Sequence, residues 1–135
     1  MINVCCALIV KDSKLLAVQR GSESSHPWLW EFPGGKIQPG ESAEQCIIRE
    51  IEEELKVRIE IYQSITSVEF DYGHKQIRLI PFVCRISSGE IILTEHIAQQ
   101  WFGFDIWERI DWSGADRELI VRNEKSIWLL ILKGD

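Results

Sequence analysis

Positively charged side chains are the minority among the charged residues of this chain of 135 residues. The chain has 15 Lys and Arg against 21 Asp and Glu, which gives a formal net charge of −6 at pH 7. Proteins bind nucleic acid polymers through clusters of Lys and Arg that meet the phosphates. The composition therefore excludes a nucleic acid polymer as the expected partner. A small phosphorylated molecule is compatible with this charge where metal cations offset the repulsion.

Long hydrophobic runs and cysteine pairs are missing as well. The longest early apolar run, Val4 to Val10, is too short to cross a bilayer, and no basic residue precedes it as in a signal peptide. CxxC spacing is absent among the four cysteines, which are Cys5, Cys6, Cys46 and Cys84. We therefore expect reduced, buried thiols in a cytoplasmic protein with no membrane partner, and a metal or disulfide role is the alternative. Metal-like spacing is also absent among the histidines, and the sequence predicts ordinary loop or surface positions for His26, His74 and His96.

Strand patterns dominate the first third of the chain, which contains no repeat or linker. The sequence predicts a hairpin of two strands, 2–10 and 15–20, across a turn at Asp12-Ser13. A polar loop over 21–29 and a short strand over 30–32 follow. Pro33-Gly34-Gly35 then breaks the regular pattern.

A helix is predicted from Ser42 to Leu55. Ser42 is a good N-cap, and Gln45 completes a capping box three residues later. Apolar side chains, among them Ile47 and Ile51, fall on one side at helical spacing. The rest of the helix is strongly acidic.

The remainder of the chain alternates strands with one further helix. Two long antiparallel strands are predicted over 57–72 and 76–86, joined at Gly73-His74, and another strand over 99–104. Residues 115–130 predict a second helix that is broken or frayed near Asn123. Strands interleaved with helices indicate an α/β fold with a mixed sheet covered on both faces. The length suits one such domain over residues 1–135.

Four glutamates crowd five positions of the predicted helix. Three of them, Glu50, Glu53 and Glu54, lie at i, i+3 and i+4 and so share one face. Glu50 and Glu54 repel each other by about 0.2–0.5 kcal/mol, and the helix dipole disfavours anions near the C-terminus. Either this face is simply solvated, as charge runs often are, or a cation lies among the carboxylates. Magnesium prefers such oxygen ligands and often bridges them to substrate phosphates.

The residues around these glutamates resemble the Nudix box, the signature of the Nudix hydrolases. That pattern is Gly, five residues, Glu, seven residues, Arg-Glu, an aliphatic, any residue, Glu-Glu, any residue, Gly, and an aliphatic. Residues 35–57 match it with Gly35, Glu41, Arg49, Glu50, Ile51, Glu53, Glu54 and Val57. Lys56 stands in place of the final Gly of the pattern. In the family, that Gly eases the reversal of the chain after the helix. The resemblance implies one Nudix domain with an α/β/α sandwich around a mixed β-sheet.

The resemblance also implies a metal site. Mg²⁺, or Mn²⁺ in its place, would be bound by the backbone carbonyl of Gly34, by the carboxylates of Glu50, Glu53 and Glu54, and by that of Glu95 from a later loop. In MutT-like members of the family a further carboxylate on a later loop serves as general base. Glu95, six residues before Trp101, has the matching position, with a surface loop glutamate as the alternative. Glu53 is the second candidate for the base.

The remaining matched residues would support these ligands. Arg49 would orient the glutamates through charge-assisted hydrogen bonds, which suit its planar guanidinium. Glu41 would steady the loop and the helix, and Gly35 is a structural position of the motif.

The segment 30–37 resembles the MutT branch of the family, which adds four substrate-binding candidates. Counterparts of Arg20 and Phe32 contact the nucleotide and its base in that branch, and Lys75 falls where a basic residue lies near the substrate. Asp116 stands where an Asn reads the base, and an ionised Asp only accepts hydrogen bonds. The alternatives are core packing for Phe32 and plain solvation for Arg20 and Lys75.

The implied reaction is magnesium-dependent hydrolysis of a (deoxy)nucleoside triphosphate to the monophosphate and pyrophosphate, as in the removal of oxidised nucleotides such as 8-oxo-dGTP. CTP or another nucleoside diphosphate derivative is the alternative substrate. A nucleotide-sensing Nudix module without catalysis is the alternative from another class, although such modules usually lack a ligand glutamate. The sequence leaves open a monomer or a homodimer, and whether the tail 125–135 packs on its own domain or on a partner.

Overall fold

The computed structural model describes residues 1–134, with side chains described to Leu132. The strands are β1 (Ile2–Lys11), β2 (Lys14–Gln19), β3 (Trp30–Glu31), β4 (Gly34–Lys36), β5 (Arg58–Ser64), β6 (Val68–Asp71), β7 (Gln76–Ser88) and β8 (Ala98–Phe102). The helices are α1 (Ala43–Leu55), α2 (Gly114–Arg122) and α3 (Glu124–Gly134), with a 3₁₀ turn at Trp107–Arg109.

The strands form one mixed sheet with β1 near its centre. β1 runs parallel to β7, with Ile2 opposite Ile77 at one end and Ile9 opposite Cys84 at the other. Along its other edge β1 pairs antiparallel first with β4 and then with β2. β2 also pairs with β3 and β8, and β7 pairs with β5 and β6. The amino-terminal half of β1 therefore lies between β7 and β4.

Helices cover both faces of the sheet. Because side chains alternate along a strand, β1 contributes to both cores. Its residues Cys5, Ala7 and Ile9 pack with the apolar face of α1. The intervening residues of β1 pack with α2 and α3, and these are Cys6, Leu8 and Val10. The architecture is an α/β/α sandwich, which confirms the predicted fold class.

The acidic helix α1 begins as its sequence predicts. Ser42 Oγ accepts a hydrogen bond from the Gln45 N–H at 3.0 Å, and Gln45 Oε1 accepts one from the Ser42 N–H at 2.9 Å. Ile47 and Ile51 are fully buried beneath the helix. Lys56 caps the other end in the left-handed conformation, with φ 61° and ψ 29°. The residue that replaces the Nudix-box glycine thus adopts the conformation that favours glycine.

Two strand predictions are wrong. The predicted strand 57–72 is two strands, β5 and β6, interrupted at residues 65–67. The interruption lies opposite Pro81, whose nitrogen has no hydrogen to donate to the ladder. Residues 34–36, predicted as a break, form β4. A β-carbon at Gly34 would overlap the carbonyl oxygen of Cys5, so this close pairing with β1 requires glycine.

The carboxyl-terminal helix is broken where the sequence predicts. Asn123 separates α2 from α3, and its Nδ2 donates to the carbonyls of Leu119 and Thr66 at 3.1 Å each. Ile127 and Ile131 of α3 are buried in the core beneath β1 and β2. One face of the described tail therefore packs on its own domain, whereas Leu129 and Leu132 on the other face are exposed, and Asp135 lies outside the described residues. Within residues 1–134, no helix has the length and apolar character needed to span a membrane.

Candidate active site

Four carboxylates line one cleft beside β4, and one of them, Glu31, belongs to β3. Glu50 and Glu54 come from α1, and Glu95 comes from the segment before β8. The cleft has a volume of about 540 Å³, and its other wall includes Gly34 and Arg20. The structure therefore brings together three of the predicted carboxylate ligands, Glu50, Glu54 and Glu95, beside the Gly34 backbone.

Glu54 is the most buried of these carboxylates. The residue is only 5% exposed, and its Oε2 accepts a hydrogen bond from the Gly34 N–H at 3.2 Å. Burial, followed by the negative charges of Glu50, Glu31 and Glu95, raises the pKa of Glu54 to about 9. A proton or a cation is needed to offset this concentration of negative charge.

Glu50 lies against the backbone of β4. Burial raises the pKa of Glu50, while the hydrogen bond from Arg49 acts in the opposite direction. A β-carbon on Gly35 would overlap the Glu50 carboxylate, so the glycine leaves the space that this side chain occupies. The structural role implied for Gly35 has a physical basis in this contact.

Arg49 joins the helix to the loop before it. Its guanidinium donates two hydrogen bonds to Glu41, at 2.9 and 2.7 Å, in a bidentate pair. It also donates to Glu50 at 2.9 Å and to Glu53 at 3.3 Å. The Arg49 hydrogen bonds, followed by one from the Gln38 N–H, lower the pKa of Glu41 to about 2. These are the contacts expected of an orienting arginine and a loop-steadying glutamate.

Glu53 is the box glutamate that the structure does not bring into this cleft. Its side chain is 61% exposed and lines a separate surface groove with Glu52 and Lys56. Glu53 lies on α1 one turn after Glu50, and its described contact there is Arg49.

A second cavity of about 230 Å³ adjoins the carboxylate cleft. It contains all four predicted substrate-binding residues, which are Arg20, Phe32, Lys75 and Asp116. Phe32 is only 3% exposed and its ring packs 5.1 Å from that of Trp112, so it belongs to the core and also lines the cavity. Arg20 is not a solvated strand end, because Nη1 pairs with Glu31 at 2.9 Å.

Asp116 is a buried carboxyl group that lines this second cavity. It is 6% exposed, and its Oδ2 accepts a hydrogen bond from the Phe32 N–H at 2.9 Å. Burial, followed by the charge of Glu31, raises the pKa of Asp116 well above its usual range. The protonated form of a carboxyl group donates as well as accepts. In its protonated form the Asp116 carboxyl group would present both a donor and an acceptor to this cavity, whereas the ionised form only accepts.

Sequence reasoning missed three residues at the cleft: Glu31 and His96, which line it, and Thr94, which directly precedes Glu95. His96 lies in a loop, as predicted, but its side chain is only 6% exposed and Nε2 lies 2.9 Å from Glu31 Oε2. Glu31 stands between two aromatic residues in a strand, which is a signal for a buried charge that needs a partner. The partner lies 65 residues away, and no local pattern predicts that contact.

The oxygen donors in the cleft suit a hard divalent cation. Carboxylates and a backbone carbonyl are the ligands that Mg²⁺ prefers. Within residues 1–134, no three His, Cys, Asp or Glu side chains converge closely enough to form a preformed metal site. Arg49 already neutralises part of the charge of Glu50 and Glu53. The four cysteines, which are Cys5, Cys6, Cys46 and Cys84, are buried and form no disulfide, as the sequence predicts.

Comparison with known proteins identifies the family. The NUDIX domain model matches residues 1–122. The CTP pyrophosphohydrolase of Escherichia coli (strain K12) is 35% identical over 101 residues, which are 75% of each chain. The 8-oxo-dGTP diphosphatase of Buchnera aphidicola subsp. Schizaphis graminum (strain Sg) is 25% identical over 126 residues, which are 93% of this chain and 95% of that protein.

A solved structure shows the same architecture. The crystal structure of the MutT protein from Methanosarcina mazei Go1 superposes with a TM-score of 0.82 at 25% identity, covering 93% of this chain and 94% of that one. Sequence, fold and the Nudix box thus agree over most of the chain. The chain belongs to the Nudix family as a MutT-like pyrophosphohydrolase that cleaves the phosphoanhydride bond of a nucleotide derivative.

Proposed function

We propose that this enzyme hydrolyses a nucleoside triphosphate to the monophosphate and pyrophosphate with Mg²⁺ as its cofactor. The observation that carries the proposal is the meeting of Glu50, Glu54 and Glu95 beside Gly34, next to a cavity that Asp116 lines. A diphosphate linkage held at the carboxylates places its nucleoside end toward that cavity.

The residues of the cleft have different proposed roles in the reaction. Glu50, Glu54 and the Gly34 carbonyl are proposed to hold Mg²⁺, with Glu53 joining from the same helix. Bound Mg²⁺ supplies charge neutralisation for the phosphates and lowers the pKa of the attacking water. Glu95 is proposed to accept a proton from that water as it adds to the phosphorus. The anhydride bond at that phosphorus then breaks, and its bridging oxygen leaves with the other half of the substrate, which gives the monophosphate and pyrophosphate.

CTP is the first substrate to test. The relative with 35% identity is a CTP pyrophosphohydrolase. A protonated Asp116 matches the cytosine edge, because its O–H can donate to N3 and its other oxygen can accept from the exocyclic amino group. The second candidate is 8-oxo-dGTP, which the name of the Buchnera relative supports.

The decisive experiment measures pyrophosphate release from a panel that contains CTP, dCTP, dGTP and 8-oxo-dGTP, with and without Mg²⁺. We expect activity on at least one triphosphate that is lost in EDTA. Glu54→Gln should lower it by about 100-fold or more, since even residues that only support metal ligands contribute 10–100-fold. Glu95→Gln should lower kcat by about 10²–10⁴-fold, the range of general-base catalysis.

Glu52→Gln is the matched control, because Glu52 is an exposed glutamate of the same helix that faces away from the cleft. It should retain wild-type activity. Full activity of Glu54→Gln, or phosphate rather than pyrophosphate as the released product, would reject the proposal. A substrate preference that Asp116→Ala leaves unchanged would show that another residue reads the base.

A further inference from the structure

The segment that carries Glu95 is attached to the carboxyl end of α1. The Thr94 N–H donates to the carbonyl of Glu54 at 3.2 Å. The Thr94 hydroxyl lies 3.2 Å from the carbonyl of Glu53 and 3.1 Å from that of Glu54, and donates to this pair. Carbonyls in the last turn of a helix have no helical partner and need donors from outside. Thr94 supplies these donors and ties the segment directly to the helix of the Nudix box.

The same segment is attached on its other side to β3 and β2. His96 Nε2 donates to Glu31 Oε2 at 2.9 Å, since an ionised carboxylate only accepts. The Ile97 N–H donates to the carbonyl of Gln19 at 3.0 Å. Glu31 is itself held by Arg20 at 2.9 Å. Glu95 therefore lies between two sets of hydrogen bonds, one to α1 and one to β2 and β3.

These hydrogen bonds take the place of the backbone hydrogen bonds that a β-strand would form with its neighbours. Residues 91–97 lie outside every strand and helix, and β8 begins only at Ala98. His96 Nδ1 is buried with no hydrogen-bond partner within the described chain, which destabilises the fold relative to an apolar residue of similar size. Packing alone therefore does not account for a histidine here, whereas the bond to Glu31 does.

We propose that Thr94 and His96 are positioning residues that hold Glu95 beside Glu50 and Glu54 during catalysis. This inference rests on the proposed function, in which Glu95 accepts the proton of the attacking water. Neither residue needs to touch the substrate, because each acts through the placement of its neighbour in the chain.

The first test separates kcat from KM in Thr94→Val and His96→Ala. We expect kcat to fall about 10–100-fold, the scale of residues that orient a ligand or base, while KM changes less than about threefold. Thr94→Ser and His96→Gln keep a donor at each position and should recover most of the loss. Ser87→Ala is the matched control, because the Ser87 hydroxyl also donates to a backbone carbonyl, that of Arg58, away from the cleft.

The second test is a double-mutant cycle with Glu95→Gln. If His96 acts through Glu95, adding His96→Ala to Glu95→Gln should cost no further kcat. The same holds for Thr94→Val. A loss of kcat that is as large in the Glu95→Gln background as in wild type would overturn the proposal, because it would show an effect independent of Glu95.

A third measurement does not depend on activity. In the variants, amide hydrogen exchange at residues 94 and 97 should speed up at least tenfold, while exchange within α1 and β7 stays unchanged. Unchanged exchange at these amides would refute the anchoring, and faster exchange with unchanged kcat would refute its catalytic role. A wild-type protein that releases no pyrophosphate would instead refute the proposed function, and the exchange data would still decide whether the anchors exist.

Discussion

Two properties of individual residues shape the cleft: a missing side chain, at Gly35, and a high density of carboxylates. Gly35 has no side chain where the Glu50 carboxylate lies, and Arg49 spreads one guanidinium over three glutamates. Glu54 is buried close to other carboxylates. The geometry thus keeps negative charge concentrated in a small volume.

Substituting Gly35 tests whether the position of Glu50 matters. In Gly35→Ala the new methyl group displaces the Glu50 carboxylate, which is the flexible end of a side chain. We expect pyrophosphate release to fall at least about tenfold, the cost of disturbing an oriented ligand, while the midpoint of thermal unfolding moves by only a few degrees.

Gly103→Ala is the control for this substitution. Its added carbon would meet the Asp105 carboxylate at 3.1 Å, away from the carboxylate cleft, so activity should stay at the wild-type level. Wild-type activity in Gly35→Ala would show that the position of Glu50 is not critical.

The residues of the Nudix box could be predicted from sequence, whereas the contact between Glu31 and His96 beside them could not. Glu50 and Glu54 lie within one helix, so their spacing alone determines that they share a face. Glu31 and His96 meet across 65 residues, and a contact of that separation depends on the whole sheet. Lys75 and Asp116 could be placed together in the second cavity only by resemblance to the MutT branch.

Among the secondary-structure elements, α1 depends most on its ends. Ser42 and Gln45 close its first turn, and Lys56 closes the last in a conformation that costs a residue with a side chain about 1–2 kcal/mol. The helix could be predicted because both its cap and its apolar spacing are local signals. β4 could not, because two glycines carry no side-chain pattern and the partner strand is 30 residues earlier.

Restoring the glycine of the Nudix-box pattern should stabilise the protein. Lys56→Gly removes the strain of the left-handed conformation, and the Lys56 side chain is exposed. We expect the free energy of unfolding to rise by about 1 kcal/mol and the unfolding midpoint by roughly 3–5 °C.

Lys56→Ala shows whether the backbone is the cause. Alanine loses the same long side chain but keeps its β-carbon, so it should gain little. Equal stabilisation by both substitutions would point to removal of the lysine charge instead of relief of the backbone.

The whole molecule should become less stable as pH rises when divalent cations are absent. The folded-state pKa of Glu54 is raised to about 9, so the folded protein holds a proton that the unfolded chain releases above about pH 4.3. The stabilisation that this proton gives to the folded state is complete below that pH and is lost progressively as pH rises toward about 9. Urea unfolding in EDTA at several values between pH 5 and pH 9 measures the slope.

Glu54→Gln and added Mg²⁺ identify the source of that slope. The substituted protein should gain stability over wild type as pH rises, at about 1.4 kcal/mol for each pH unit within the window. Saturating Mg²⁺ should flatten the wild-type profile, because a cation replaces the proton. A wild-type profile that matches Glu54→Gln throughout would contradict the burial of an unpaired carboxyl group.

Because all four cysteines are buried, their reaction with a thiol reagent measures transient opening of the folded protein. Their sulfurs lie in β1 and β7 of the sheet and in α1, which covers one face of it, and burial raises the pKa of each thiol, that of Cys84 to about 12. A maleimide in solution can alkylate them only when these layers separate, since the reagent attacks an accessible thiolate. The rate of labelling in native buffer would therefore measure how often these layers separate. A bound nucleotide should slow the labelling, and the effect should grow with the affinity of the nucleotide for the folded state.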